Sequence, residues 1–231
     1  MTDGKSISVY PSAAPDMPMI YLNCFSEEGD QLYQLLQNAG CADFTLVVIS
    51  RLAWNHDMAP WDIPPISRDD TPCTGGADAY LELLVNEIVP MAERFVSGKP
   101  AWRGLAGYSL AGLFAVYALY RTNIFSRIGS MSGSLWFPNF REYVLEHEMA
   151  RRPEAIYFSL GDKECRTRNP YLKTVQDNTE AISDFYSKAG IDTVFRLNHG
   201  GHFTDTDGRT AAGLAWLLDW GVKAFSDQPL L

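Results

Sequence analysis

Arg103-Gly104-Leu105-Ala106-Gly107-Tyr108-Ser109-Leu110-Ala111-Gly112 is the stretch from which the fold can be read. Leu105 and Ala106 make a short apolar approach to Gly107-Tyr108-Ser109-Leu110-Ala111, and residues 112–121 hold almost only helix-compatible apolar side chains. The pattern predicts strand, sharp turn and buried helix. It fits the G-x-S-x-G turn, in which a serine sits on a strained strand-to-helix connection with its hydroxyl exposed above a sheet. Small residues flank such a serine because the strand and helix backbones approach closely, so a β-carbon at Gly107 is expected to collide. Ala111 stands where the pattern has its final glycine, and Gly112 follows it.

Upstream, residues 5–10 read as an edge strand with Ile7 and Val9 on one face, cut off by Pro11, Pro15 and Pro18. Met19-Ile20-Tyr21-Leu22 reads as a short apolar strand leading into Asn23-Cys24-Phe25-Ser26. Leu32, Leu35 and Leu36 share one face of a helix over 28–39, with Gly40 at a left-handed cap. Residues 44–49 are β-rich enough for a central buried strand. Residues 50–78 are long and irregular, and such loops are usually functional or disordered; Trp54 and Trp61 disfavour disorder. His56 and Asp57 make no metal-ligand set by themselves and are expected to tether this loop. Asp78 is the expected N-cap of a helix carrying Tyr80, Leu83, Leu84, Ile88, Ala92 and Phe95, kinked at Pro90.

Downstream, a weak strand over 126–132 leads to Gly133-Ser134-Leu135-Trp136-Phe137, and a helix over 140–150 follows. Residues 155–160 are a convincing strand ending in Gly161-Asp162-Lys163-Glu164. Leu172, Val175, Thr179, Ile182 and Tyr186 mark a helix that stops at Gly190. A last strand over 191–197 runs into Asn198-His199-Gly200-Gly201-His202, and a helix covers about 209–225. Alternation of this kind predicts one α/β domain over 1–231, with a mostly parallel central sheet and helices on both faces.

Composition narrows the function classes. With 19 basic and 28 acidic residues, a net charge of −9 argues against nucleic acid or an anionic membrane as partner. Cys24, Cys41, Cys73 and Cys165 lack C-x-x-C spacing, which reads as reduced cysteines of a cytoplasmic protein rather than a disulfide frame or zinc site. Neither a signal peptide nor a transmembrane stretch is recognisable.

Three strands in succession therefore end in a serine (Ser109), an acidic pair (Asp162, Glu164) and a histidine pair (His199, His202). Serine, acid, histidine is the chain order of α/β-hydrolases, and loops at the carboxyl ends of parallel strands gather on one side of a sheet. The chemistry needs all three. A serine is a poor nucleophile until an imidazole takes its proton, and an acid holds that imidazole in the right tautomer.

Several stretches together carry a family resemblance: Asp57-Met58-Ala59-Pro60-Trp61, Gly75-Gly76-Ala77-Asp78, residues 105–114, Ser132-Gly133-Ser134-Leu135-Trp136, Ser159-Leu160-Gly161-Asp162-Lys163-Glu164 and Gly200-Gly201-His202. From about residue 19 to 220 the chain resembles the esterase D-like and enterochelin-esterase-like branch of the α/β-hydrolases, which includes feruloyl esterases. The resemblance implies Ser109 as nucleophile, His202 as base and Glu164, rather than Asp162, as the orienting acid. Tyr108 and Ala111 depart from the family, which more often has His and Gly there. The reaction implied is hydrolysis of a small carboxylic ester without metal or organic cofactor. Backbone N–H groups of Leu110 and of the 24–25 loop, Cys24 first, are expected to hold the oxyanion, and Trp61 and Trp136 to contact substrate, in an apolar wall that also includes Trp54, Leu135 and Phe137; the alternative is that these aromatic side chains cap the core. The rival readings are an acyltransferase on the same machinery and a non-catalytic binding member of the fold.

Overall fold

The computed structural model describes residues 4–26 and 29–226. Its first half runs β1 (Ser6–Tyr10), β2 (Met19–Asn23), α1 (Gly29–Asn38), β3 (Thr45–Ser50) and α2 (Trp54–Asp57). The two-residue strands β4 (Asp62–Ile63) and β5 (Cys73–Thr74), α3 (Ala77–Leu83), a π turn at Leu84–Ile88 and α4 (Val89–Ala92) follow. The second half runs β6 (Arg103–Tyr108), α5 (Leu110–Ala118), β7 (Arg127–Met131), α6 (Phe140–Glu146), β8 (Ala155–Gly161), α7 (Val175–Lys188), β9 (Asp192–Asn198) and α8 (Thr206–Ser226).

Seven strands form one sheet in the order β1-β3-β2-β6-β7-β8-β9, parallel except for the antiparallel edge pair β1·β3. The α/β architecture expected from the sequence is the one observed. Strand residues alternate between two cores, as a period of two requires. Met19, Tyr21, Val47, Ile49, Leu105 and Ile156 face the core built with α3, α5, α6 and α7. Ile20, Leu22, Leu46, Val48, Ala106 and Tyr157 face the other, closed by Leu32 and Leu36 of α1 and Leu214, Leu217 and Leu218 of α8. Burial on both faces explains why these strands read as continuous apolar runs.

Local differences from the sequence reading have physical causes. Residue 28, where the first helix was expected to start, lies outside the described residues; within that helix Leu35 is exposed while Leu32 and Leu36 are buried. Asp78 does not cap α3. Gly76 holds the cap position, and the Asp78 carboxylate instead accepts bonds from Tyr117 and Arg121. Pro90 has no N–H for the carbonyl four residues back and crowds it, and the helix widens into the π turn just before it rather than simply bending. Residues 50–78 are tied down by α2, by β4·β5 and by His56, whose Nδ1 lies 2.8 Å from Thr74 Oγ1. The helix expected over 140–150 ends at Glu146. The last helix starts at Thr206 rather than 209, behind Asp205, whose Oδ1 accepts the Gly208 N–H.

In chain order the sheet grows from β2 to β3 in one direction and from β6 to β9 in the other. The reversal lies between β2 and β6, and the crevice outside the carboxyl ends of strands at such a point is where open α/β sheets bind ligands.

Candidate active site

Ser109 sits at this crevice, between the end of β6 and the start of α5, with φ 60° and ψ −124°. A non-glycine residue at positive φ is strained and persists only where its surroundings over-determine it. Here they do. Ser109 N–H donates to Met131 O, and Ser109 O accepts from Gly112, Leu113 and Ser134. A β-carbon at Gly107 would strike Ala111, reaching its carbonyl carbon at 2.5 Å, so the tight crossing needs that glycine. Ala111 itself is fully buried and accommodated.

Ser109 Oγ lies 3.0 Å from His202 Nε2, and His202 Nδ1 lies 2.7 Å from Glu164 Oε2. The other Glu164 oxygen accepts the Gly161 N–H at 2.6 Å and the Ser132 hydroxyl at 2.8 Å. Burial pushes the Glu164 carboxyl up, but the bonds from His202, Gly161 and Ser132 outweigh it and hold the group below the usual carboxylate range. Asp162 points elsewhere. Its Oδ1 accepts the Gly200 N–H at 2.7 Å, which lowers its pKa, and its other oxygen is 3.7 Å from His199 Nδ1. Gly200 takes φ 108°, a backbone open to glycine, and this bend returns His202 over the sheet edge. His199 stays exposed at the rim.

Two sequence expectations need correction. Cys24 N–H donates to Ile49 O at 2.8 Å, continuing the β2·β3 ladder, so it is not available to an oxyanion. Trp61 does not line the crevice. Its indole N–H donates to Pro138 O, and its ring packs against Phe137, Phe140 and Tyr143. Leu135 and Phe137 are likewise core residues. Trp136 and Trp54 do line the space beside Ser109. That space is double. A cleft of about 530 Å³ opens between Trp54, Ile66, Trp136 and Val175, and a second of about 480 Å³ between Leu22, Phe25, Leu32 and Thr210. Ser109, His202, Trp54 and Phe203 border both.

The sequence reading passed over Arg209, Ser132 and Ser134. Arg209 is 4% exposed and contacts Glu164 as well as the loop that carries His202. Its one signal in the sequence is position, for a cation in the first turn of a helix is disfavoured by the dipole and calls for another reason. Ser134 Oγ lies 3.3 Å from Ser109 Oγ. Tyr108, a departure from the family pattern, donates its hydroxyl to His202 O at 2.6 Å. Among the described residues no group of three or more His, Cys, Asp or Glu is placed to hold a metal ion, and no helix is long and apolar enough to cross a membrane.

Residues 10–205 match the protein family described as "Putative esterase". The chain belongs to this esterase family. A relative in Bacillus subtilis (strain 168), the uncharacterized protein YbbA, is 23% identical over 189 residues, covering 79% of this chain and 76% of that one. Among solved structures, an IroE-like serine hydrolase from Shewanella oneidensis superimposes with a TM-score of 0.76 at 18% identity, over 93% of this chain and 76% of the other. The siderophore hydrolase EstA from Aspergillus nidulans does so with a TM-score of 0.69 at 18% identity, over 94% and 90%. At this identity the structural likeness shows the shared fold. The protein is thus an esterase with the α/β-hydrolase fold.

Proposed function

We propose that this esterase hydrolyses small, neutral carboxylic esters through an acyl-enzyme formed on Ser109. The observation that carries the reading is the continuous hydrogen-bonded chain from Ser109 through His202 to Glu164. His202 accepts the serine proton as Oγ attacks the ester carbonyl and returns it to the leaving alcohol; Glu164 holds the ring and stabilises its charged form. Water activated by the same imidazole then releases the acid. Leu110 opens α5, so its N–H is one of the donors without an acceptor inside the helix. With Cys24 engaged in the sheet, Phe25 N–H is the second oxyanion donor. Each such donor contributes roughly 3 kcal/mol to the transition state.

Neutral substrates are favoured by the walls of the site. Among the described residues no lysine or arginine lines either cleft, whereas Asp69 and Asp70 line the first and Asp207 the second. Some structural neighbours are named as siderophore hydrolases, but this lining offers no cationic hold on a polyanionic ester.

The test is labelling with a fluorophosphonate probe, followed by a panel of short-acyl, aryl and charged esters. Ser109→Ala is expected to lose labelling and to lower the hydrolysis rate by about 10⁴-fold or more with the fold intact. Labelling at another residue, or faster turnover of anionic than of neutral esters, would overturn the reading.

A further inference from the structure

The side chain of Arg209 touches all three segments that carry Ser109, Glu164 and His202. Its Nη1 lies 3.3 Å from Glu164 Oε1, 3.3 Å from Ser132 Oγ, 3.3 Å from the Tyr108 hydroxyl and 3.1 Å from Gly201 O. Its Nη2 donates to His199 O at 3.0 Å. Tyr108 precedes Ser109 in the chain, Ser132 follows β7, and the two carbonyls belong to the turn that delivers His202. A planar guanidinium presents its donors in fixed directions to acceptors that converge from different strands, whereas an ammonium on a flexible stem does not hold them in one geometry.

We propose that Arg209 is the positioning residue of this site, a buried cation that fixes Glu164 and the His202 turn to one another and sets the charge that the imidazole faces. The proposal rests on the roles given above to Ser109, His202 and Glu164. The other charged and titratable groups around the cluster are Tyr108 at the end of β6, Asp162 in the turn after β8, His199 across from it, and Asp205 and Asp207 at the start of α8. Lys163 and Arg166 lie on the exposed side of that turn. Arg209 brings its positive charge to Glu164 from the buried side, where the pair's side chains are 3% and 4% exposed. Removing one member of such a pair leaves the other as an uncompensated buried charge. His202 would then face a carboxylate with no cation opposing it, which shifts the acid limb of the pH profile upward.

The experiment compares Arg209→Met, Arg209→Lys, Glu164→Ala and the Met/Ala double variant in the full chain, reading kcat, KM, the pH dependence of kcat/KM and the far-ultraviolet circular dichroism. Arg209→Met is expected to lower kcat by about tenfold to a hundredfold with KM changed by less than about threefold. The midpoint of its acid limb should move up by about half a pH unit or more. Arg209→Lys keeps the charge but not the fork, so its limb should return to the wild-type position while kcat stays reduced. In the Glu164→Ala background the Met substitution should add less than about a threefold loss, because with the carboxylate gone the fork has nothing to hold against the His202 turn. Losses that multiply, or a wild-type limb in a folded Arg209→Met, would overturn the proposal. Should Arg209→Met fail to fold, Arg209→Lys decides, and a wild-type kcat in it is the overturning result. An active Ser109→Ala would instead remove the nucleophile assignment on which the proposal rests, whereas an inactive Ser109→Ala beside an unaffected Arg209→Met would remove the proposal alone.

Discussion

Trp61 and Trp136 were both expected against substrate, and the contacts of their side chains divide them. Trp61 is held by its bond to Pro138 O and by three aromatic rings, whereas Trp136 lines the larger cleft beside Ser109. Trp136→Ala is therefore expected to lower kcat/KM for aryl esters tenfold or more, about 1.4 kcal/mol, with little change in thermal stability. Trp61→Ala should do the reverse. Steady-state kinetics and melting curves on the two variants check this, and exchanged outcomes would refute it. The sequence could bring Trp136 to the site because it lies in the short loop after β7, whose end the sheet topology locates. Trp61 lies in a 29-residue stretch, 50–78, whose path depends on tertiary contacts such as the Lys5–Asp57 ion pair at 3.0 Å. Cys24 failed for a different reason: one more ladder bond, to Ile49 O, engages its amide in the sheet, and strand ends are not legible to that accuracy. Glu164 and Asp162 could be told apart by family spacing, but the buried arginine behind Glu164 left no periodic trace.

At the scale of elements, the β6–α5 crossing is the part of the fold that the sequence announces most clearly. Every residue of α5 is buried, so its apolar run had no amphipathic period to misread. Gly107→Ala is a substitution this crossing tolerates poorly. The new methyl would strike Ala111, whose carbonyl oxygen would stand 2.7 Å away. Overpacking of that kind costs about 1–3 kcal/mol, and at roughly 2–4 °C per kcal/mol for a chain of this size the expected fall in melting temperature is several degrees. Activity should fall as well, since the displaced turn carries Ser109. A Gly107→Ala protein that melts and turns over like the parent would show that the strand and helix can separate freely. The π turn before Pro90 was legible only as a disturbance, because proline removes a donor without saying how the neighbouring turn will widen.

Across the whole molecule, tyrosines are built into both the core and its polar contacts. Tyr21, Tyr80 and Tyr186 are 0%, 2% and 0% exposed, and burial, with Glu93 beside Tyr21 and Asp57 beside Tyr80, drives their hydroxyls well above the ordinary tyrosine value. Burial also pushes Tyr120 up to about 12. A group whose folded pKa is raised contributes stability fully below its unfolded value, about 10 for tyrosine, and loses it as pH rises from there toward the folded value. Stability is thus expected to fall above about pH 10, with tyrosinate absorbance at 295 nm rising in step with the loss of circular dichroism. Gradual ionisation of all eleven tyrosines in a molecule that stays folded would contradict this. The same sheet that buries those rings also raises Ser109 onto a ridge between two clefts. An ester bound across that ridge, one half on each slope, would free its alcohol on one side while the acyl half stayed tethered to Ser109. Turnover would then have a built-in sequence of departures: the alcohol would leave without passing the acyl group, and the vacated slope would become the path by which the second nucleophile arrives. Whether water or another alcohol takes that path decides between hydrolysis and acyl exchange, so the chemistry of the emptied slope governs the fate of the acyl-enzyme.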